Sequence, residues 1–312
     1  LFKNEVILMK LEMGSKGEEV KLMQTYLTKL GYDPQGIDGI FGNNTLSALK
    51  KFQTDYYVTG ICDDKVFNDL ANLYNQKIQE EQKQNKGYRK IRMFDSDIHI
   101  YETSPDEYVD VTLGVENKLE KLSKIDDPNV EEICKINCGF FDFDGSREHL
   151  GLFIRNGKLY YQPDNTYINF LYFKDGRTNI KYYDNNYEEI RYWLKELNWG
   201  IGCGWSLVRN GKIDVQGDKF FDHSSARHPR TLIAQKKTGE FLLIVVDGRN
   251  ENSKGINTSQ AAQLAIELNV WNCCMLDGGG SSEMIVNNKI VNKPSDGVER
   301  SIGSAIVVYK RS

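Results

Sequence analysis

The chain holds little histidine: four residues in 312, at positions 99, 149, 223 and 228, with no HxH or HExxH spacing. A zinc hydrolase needs clustered His and acid ligands, so nothing here signals that chemistry, and no metal site or cofactor is expected. The six cysteines include no CxxC pair. Cys134 and Cys138 lie on a segment that reads as extended, so they need not share a face. Buried free thiols are the expected state. Basic excess is also missing: a net charge of −4 argues against general nucleic-acid binding. No run approaches the roughly 20 apolar residues that span a bilayer. The amino terminus lacks the apolar core and small-residue cleavage site of a secretory signal. Leu1 to Leu8 precede the first methionine, Met9. They read either as translated leader (Glu5-Val6 is what a ribosome-binding sequence would encode) or as an ordinary frayed terminus, and they stay outside fold reasoning.

What is present suits a soluble globular protein, 40% hydrophobic and 27% charged, with room for two domains. From Leu11 to about Asn72 the pattern is helical. Val20, Met23, Leu27 and Leu30 recur at three- and four-residue steps until Gly31 stops them, with Ser15 a candidate cap. A loop follows, then a second stripe of Leu46, Leu49 and Phe52, and a third helix over Asp64 to Leu73. The pattern Asp38-Gly39-Ile40-Phe41-Gly42, then Thr45, Ala48 and Phe52-Gln53, resembles the three-helix peptidoglycan-binding domain of bacterial and phage cell-wall enzymes. That resemblance implies wall targeting, with Asp38, Gly39, Phe41 and Gly42 as wall-binding candidates beside a polar groove. Domain one is therefore placed at 9–74, and the polar stretch 75–90 reads as a linker, helical in its first half.

From Ile91 the chain turns to short strands, such as Ile98 to Tyr101 and Tyr108 to Leu113. Asn156-Gly157 and Asn210-Gly211 mark two hairpins. Tyr187 to Leu197 reads as a helix. The expected class is α+β, a small three-helix domain followed by a larger mixed α/β sheet domain over 91–312.

Four stretches of that domain carry polar residues at strand ends. Asn137 ends a strand before Phe140-Phe141, aromatics that suit a core corner or the wall of a sugar site. Asp142 and Asp144 beyond them are weak cation candidates. His228-Pro229-Arg230-Thr231 enters a strand. Phe241 to Val246 is an unbroken apolar run closing in Asp247-Gly248-Arg249, and Thr258 to Leu268 follows as a helix. Met275-Leu276 leads into Asp277-Gly278-Gly279-Gly280-Ser281-Ser282, and Arg300 precedes the last strand. Taken alone, the triglycine is either a turn whose aspartate caps its own loop or a place where a ligand reaches bare backbone N–H groups. If the strands ending in Asp247 and Asp277 are parallel neighbours, both acids sit on one rim. Two acids there, with Arg230, Arg249 and Arg300 at hand, suit a reacting centre beside an anion.

These stretches, in this order, resemble the phosphodiester glycosidase family across about 91–310. The resemblance implies hydrolysis of a bond between sugar C1 and phosphate. Asp277 or Asp247 would be base or nucleophile. Arg230, Arg249 and Arg300 would bind phosphate with Ser281 and the amides of Gly278, Gly279 and Gly280, while Thr231 and Ser282 would line the site and Asn137 would contact the sugar. With the wall module, the expected partners are peptidoglycan and a phosphate-containing wall glycopolymer such as a teichoic acid, without nucleic acid or a membrane span. Action at the bacterial wall, with no visible signal peptide, fits a phage protein released at lysis or carried on the virion, or a secreted protein whose leader is missing. The rivals are a peptidoglycan amidase or peptidase, for which Cys203 is the nearest thiol, and a wall-binding virion protein without catalysis.

Overall fold

The structure is a computed structural model, and it describes residues 10–55, 58–84, 86–114, 118–125, 130–143, 145–182, 188–217 and 224–311. Leu1 to Met9, Tyr56, Tyr57, Asp144, Tyr187 and His223 lie outside them. The chain divides into two compact units, Leu1–Asn85 and Lys86–Ser312.

In the first unit, helix α1 spans Glu18–Leu30 and buries Val20, Met23 and Leu27. It ends at Gly31, whose φ of 95° is the left-handed conformation that glycine adopts without strain. Ser15 is not its cap. Gly17 holds that position, and the Ser15 hydroxyl instead accepts from the Glu12 amide. Helix α2 (Asn43–Phe52) starts directly after Gly42 and buries Thr45, Ala48, Leu49 and Phe52. One side chain organises the intervening loop: Gln24 donates to Asp38 and Thr45 and accepts from the Gly39 amide. Phe41 is 1% exposed and belongs to the core that α1 and α2 share.

Helix α3 runs Asp64–Gln84, well past the expected end at Leu73. Most of the stretch read as a linker is therefore helix, because Gln, Glu and Lys are all good helix formers even without an apolar stripe. The first strand of the second unit, Gly87–Met93, takes in the last four residues of the expected linker and opens the sheet domain ahead of Ile91.

Among the described residues, that second unit is built from three large antiparallel sheets and a two-stranded one that pairs Glu120–Lys121 with Ser301–Ile302. A seven-stranded sheet has the order 212–217, 205–209, 272–275, 230–235, 241–246, 96–102, 87–93. Two five-stranded sheets pack with it around one core, to which Leu243 and Val245, Phe170 and Trp199, and Ile136 and Ile306 contribute. The helical stretch expected over Tyr187 to Leu197 is α4 at Glu188–Trp193 and a tighter 3-10 turn at Leu194–Glu196, and Leu197 already opens a strand. Helix α5 (Thr258–Glu267) covers the other face of the large sheet with Ala261, Leu264 and Ala265. Its capping box joins Asn257 and Gln260.

The unbroken apolar run Phe241–Val246 now has its cause. Leu243 and Val245 face the shared core while Leu242, Ile244 and Val246 face α5, so both sides of the strand are buried. At both expected hairpins Asn and Gly take positive φ, 51° and 73° at Asn156-Gly157 and 53° and 73° at Asn210-Gly211. All six cysteines are free and buried.

Candidate active site

Strands Phe241–Val246 and Asn272–Met275 are not neighbours. Each pairs antiparallel with Arg230–Gln235 between them, so the outer two run the same way. Their ends and the start of the central strand consequently share one rim. Asp247, Arg230 and Asp277 leave the sheet there, as the sequence suggested, by a different route.

A pocket of about 270 Å³ opens at this rim. Asp277, the three glycines and Arg230, Arg249 and Arg300 line it, together with Phe140, Trp205, His228 and Leu276. Asp277 is the one acid among these lining residues. Its backbone is held at both ends: its N–H donates to the Cys138 carbonyl at 3.1 Å, and its carbonyl accepts from Asn137 Nδ2 at 2.7 Å. Burial pushes its carboxyl up to about 6, although the Ser281 hydroxyl, the charge of Arg300 and the Gly278 amide all pull it down.

The glycines make room for guanidinium groups. Gly279 sits at φ 60°, its N–H on the Pro229 carbonyl, and a Cβ there would lie 3.2 Å from two Arg249 nitrogens. At Gly280 a Cβ would overlap Arg300 and its partner Asp296, which accepts from Arg300 Nε at 2.8 Å. Gly280→Ala therefore displaces the tip of a flexible side chain, not the backbone. The expected result is a thermal midpoint little changed and a kcat/KM for the reaction at this pocket lower by about 10²-fold, the scale of a misplaced site group. Parallel melting and kinetic measurements on the variant check both.

Arg230 is buried, with Nε on the Ile256 carbonyl at 3.1 Å and Nη2 on the Ala226 carbonyl at 3.2 Å. Its guanidinium carbon lies 6.0 Å from the centre of the Trp205 ring. Burial, then the neighbouring Arg249, brings its pKa down to about 10, so it is still a cation at neutral pH. Arg249 is exposed and has φ 60°, an uncommon conformation for a residue with a side chain. Its Nη2 is 3.1 Å from His228 Nδ1. A guanidinium only donates, so Nδ1 is the acceptor and the neutral ring carries its proton on Nε2.

Other expected site residues stand behind this layer. Asn137 is buried and does not line this pocket. Its Oδ1 accepts from the Thr231 hydroxyl at 2.7 Å and the Glu283 amide at 3.2 Å, while Nδ2 holds Asp277. Ser281 is buried at the end of the short helical turn Gly279–Ser281, and Ser282, also buried, follows it in extended backbone. Asp247, 2% exposed, is also absent from the lining. Its carboxylate accepts from Asn292 Nδ2 at 3.2 Å and the Lys293 amide at 3.0 Å, and lies 3.3 Å from His99 Nε2. It braces the Asp-Gly-Arg turn against the segment after the triglycine. Asp247→Asn sets an NH₂ group among donors, so a stability loss of about 1–3 kcal/mol is expected. Chemical denaturation measures it. Of the two phenylalanines, Phe140 lines the pocket and Phe141 packs partly buried beside a small core.

Trp205 and His228 were not singled out as lining residues from sequence. His228 stood inside a recognised cluster, but Trp205 follows Gly204 in a strand with no local signature. Asp142 is engaged by its own turn, accepting from the Gly145 and Ser146 amides. Cys203 is buried in the core and does not line the pocket. Among the described residues, no group of three His, Cys, Asp or Glu is arranged to hold a metal ion.

The phosphodiester glycosidase family model matches residues 131–309, more than half of the chain. The chain belongs to that family. A peptidoglycan binding domain model matches residues 16–70. The phosphodiester glycosidase unit is similar to the catalytic domain of zebrafish N-acetylglucosamine-1-phosphodiester alpha-N-acetylglucosaminidase, auto-inhibited by its pro-peptide. That match has a TM-score of 0.60 and 25% identity, over 72% of this chain and 82% of the other. The bovine enzyme of the same name is 36% identical over 107 residues, 30% of this chain and 20% of its own length. A prophage-derived protein of Bacillus subtilis, YomE, is 30% identical over 166 residues, 52% of this chain and 26% of its own length. The matches thus span about a fifth to a quarter of these curated relatives.

Proposed function

We propose that this phosphodiester glycosidase hydrolyses a glycosyl C1–O–P linkage in a wall glycopolymer, with Asp277 as the reacting carboxylate. The observation that carries the reading is one acid facing three arginines in a single pocket. Most glycosidases need a second carboxyl to protonate the leaving oxygen. A phosphate leaving group does not, since it departs as a stable anion, and cations aimed at it take the place of the acid. In this scheme Phe140, Trp205 and Leu276 enclose the sugar. The C1–O bond breaks with its electron pair leaving on phosphate, and Arg230, Arg249 and Arg300 receive that charge with the triglycine amides. Water bonds to C1, either directly with its proton passing to Asp277 or after a covalent Asp277 ester. Asn137, Thr231 and Asp247 position the groups that react.

The amino-terminal unit supplies the wall address in this proposal. Beside Asp38, the side chains of Ile37 and Ile40 are 42% and 45% exposed, an apolar edge next to a polar loop. A teichoic-acid-like polymer fits both units, and the prophage-derived relative supports a phage origin. The test is incubation of the purified protein with isolated teichoic acids and with peptidoglycan. Release of reducing sugar from the phosphate polymer is expected. Release of peptide or amino groups from peptidoglycan, without sugar, would replace this reading with an amidase or peptidase.

A further inference from the structure

One aromatic beside the pocket is unused by the scheme above. Phe143 leaves 62% of its surface in solvent, so the fold gains little from burying it. Yet it is held in place. The Arg300 guanidinium carbon lies 5.5 Å from its ring centre, and the Phe141 ring is 6.1 Å away at 41°. Its turn is pinned by Asp142, whose carboxylate accepts from the Gly145 and Ser146 amides and the Ser146 hydroxyl. The turn that carries Arg300 presents a second exposed apolar side chain, Val298, at 67%. An exposed ring fixed over a site cation is a ready-made stacking surface, because little ordering entropy remains to be lost on binding.

Its place relative to the pocket says what would stack there. The sugar lies inside, against Asp277 and the pocket walls, and the phosphate lies on the arginines. Phe143 is exposed, does not line the pocket and adjoins it through Arg300, so a substrate whose phosphate rests on that guanidinium has this ring next to it as it leaves the pocket. We propose that Phe143 is a specificity-determining platform for the leaving group, and that this group offers a ring face next to the phosphate, as in a wall polymer whose phosphate joins two sugars, instead of an open polyol chain. The inference rests on the glycosyl-phosphodiester reading. A sugar ring and a nucleobase share the required chemistry, and an aromatic face accepts either.

The test compares wild type, Phe143→Ala and Phe143→Tyr on three N-acetylglucosamine 1-phosphate diesters, whose second ester is to a hexose, to uridine or to glycerol. For Phe143→Ala, KM should rise about tenfold on the diester whose ring is recognised, with kcat unchanged and no change on the glycerol diester. Phe143→Tyr should restore wild-type KM. Whether the hexose or the uridine diester shows the effect identifies the ring. An unchanged KM on all three substrates, or an equal loss on all three, overturns the platform. If wild type cleaves none of them, the hydrolase reading itself falls and takes this inference with it. Because Phe143 is exposed, the variant should melt with wild type, which separates lost stacking from lost folding.

Discussion

Asp277→Asn should abolish sugar release, by at least about 10³-fold, and at the same time make the protein more stable at neutral pH. The two effects have one cause. A carboxyl that lines a pocket among packed residues is costly to ionise, and its pKa rises from 3.8 to about 6. In the unfolded chain the group titrates near its ordinary value. Between about pH 4 and pH 6 the folded state therefore binds more protons than the unfolded state, and stability falls as pH rises through that window. The full shift corresponds to at most about 3 kcal/mol, since each unit is worth about 1.4 kcal/mol. Asparagine fills the same space uncharged. Melting curves for both proteins at pH 4 and pH 7 should nearly coincide at the lower pH and separate at the higher, with the variant above wild type. Wild-type kcat/KM should show an acid limb with an apparent pKa near 6, the pH at which this carboxylate becomes available. A variant that is inactive because it is unfolded would show the opposite change in melting.

Arg230→Met should lower kcat/KM by about 10²–10³-fold while leaving the fold in place. The guanidinium is pinned by the Ile256 and Ala226 carbonyls, so its direction toward the leaving group is set before substrate arrives. Preorganisation of that kind makes a cation most effective in the transition state. Two stability terms oppose each other here. Losing the donors leaves two carbonyls less well satisfied, at about 1 kcal/mol each, while removing a cation whose pKa burial has lowered to about 10 gives some of that back. The midpoint should move by only a few degrees. Inhibition by inorganic phosphate, measured alongside turnover, should weaken strongly in the variant. Strong loss of activity with phosphate inhibition intact would move Arg230 from the phosphate grip to the sugar side.

Much of this site could be read from the chain because its parts lie at strand ends. Arg230, Arg249, the triglycine and Arg300 each follow or precede an apolar run, and all of them line the pocket. The hairpins were equally readable, since Asn-Gly pairs supply positive φ by their own chemistry. What local sequence does not carry is who the neighbours are. Asp247-Gly248 and Asp277-Gly278 look alike on paper. Only the antiparallel insertion of Arg230–Gln235 and the segment through Asn292 and Lys293 give one aspartate a full set of partners and leave the other facing a cavity. Asn137 illustrates the same limit, because its partners Thr231, Asp277 and Glu283 are distant in sequence. The strand order also stayed hidden: a run such as Phe241–Val246, buried on both faces, reads alike in parallel and antiparallel sheets. The polar turns of α3 were read as a tether because solvated helix and linker share a composition.

The central claim is that the bond broken lies between sugar C1 and oxygen, under the control of Asp277. The most direct test is hydrolysis of UDP-N-acetylglucosamine in ¹⁸O-labelled water, followed by mass spectrometry of both products. The account predicts free N-acetylglucosamine carrying the label, unlabelled UDP, and no reaction with Asp277→Asn. Label in a phosphate, with N-acetylglucosamine 1-phosphate and UMP as products, would contradict it.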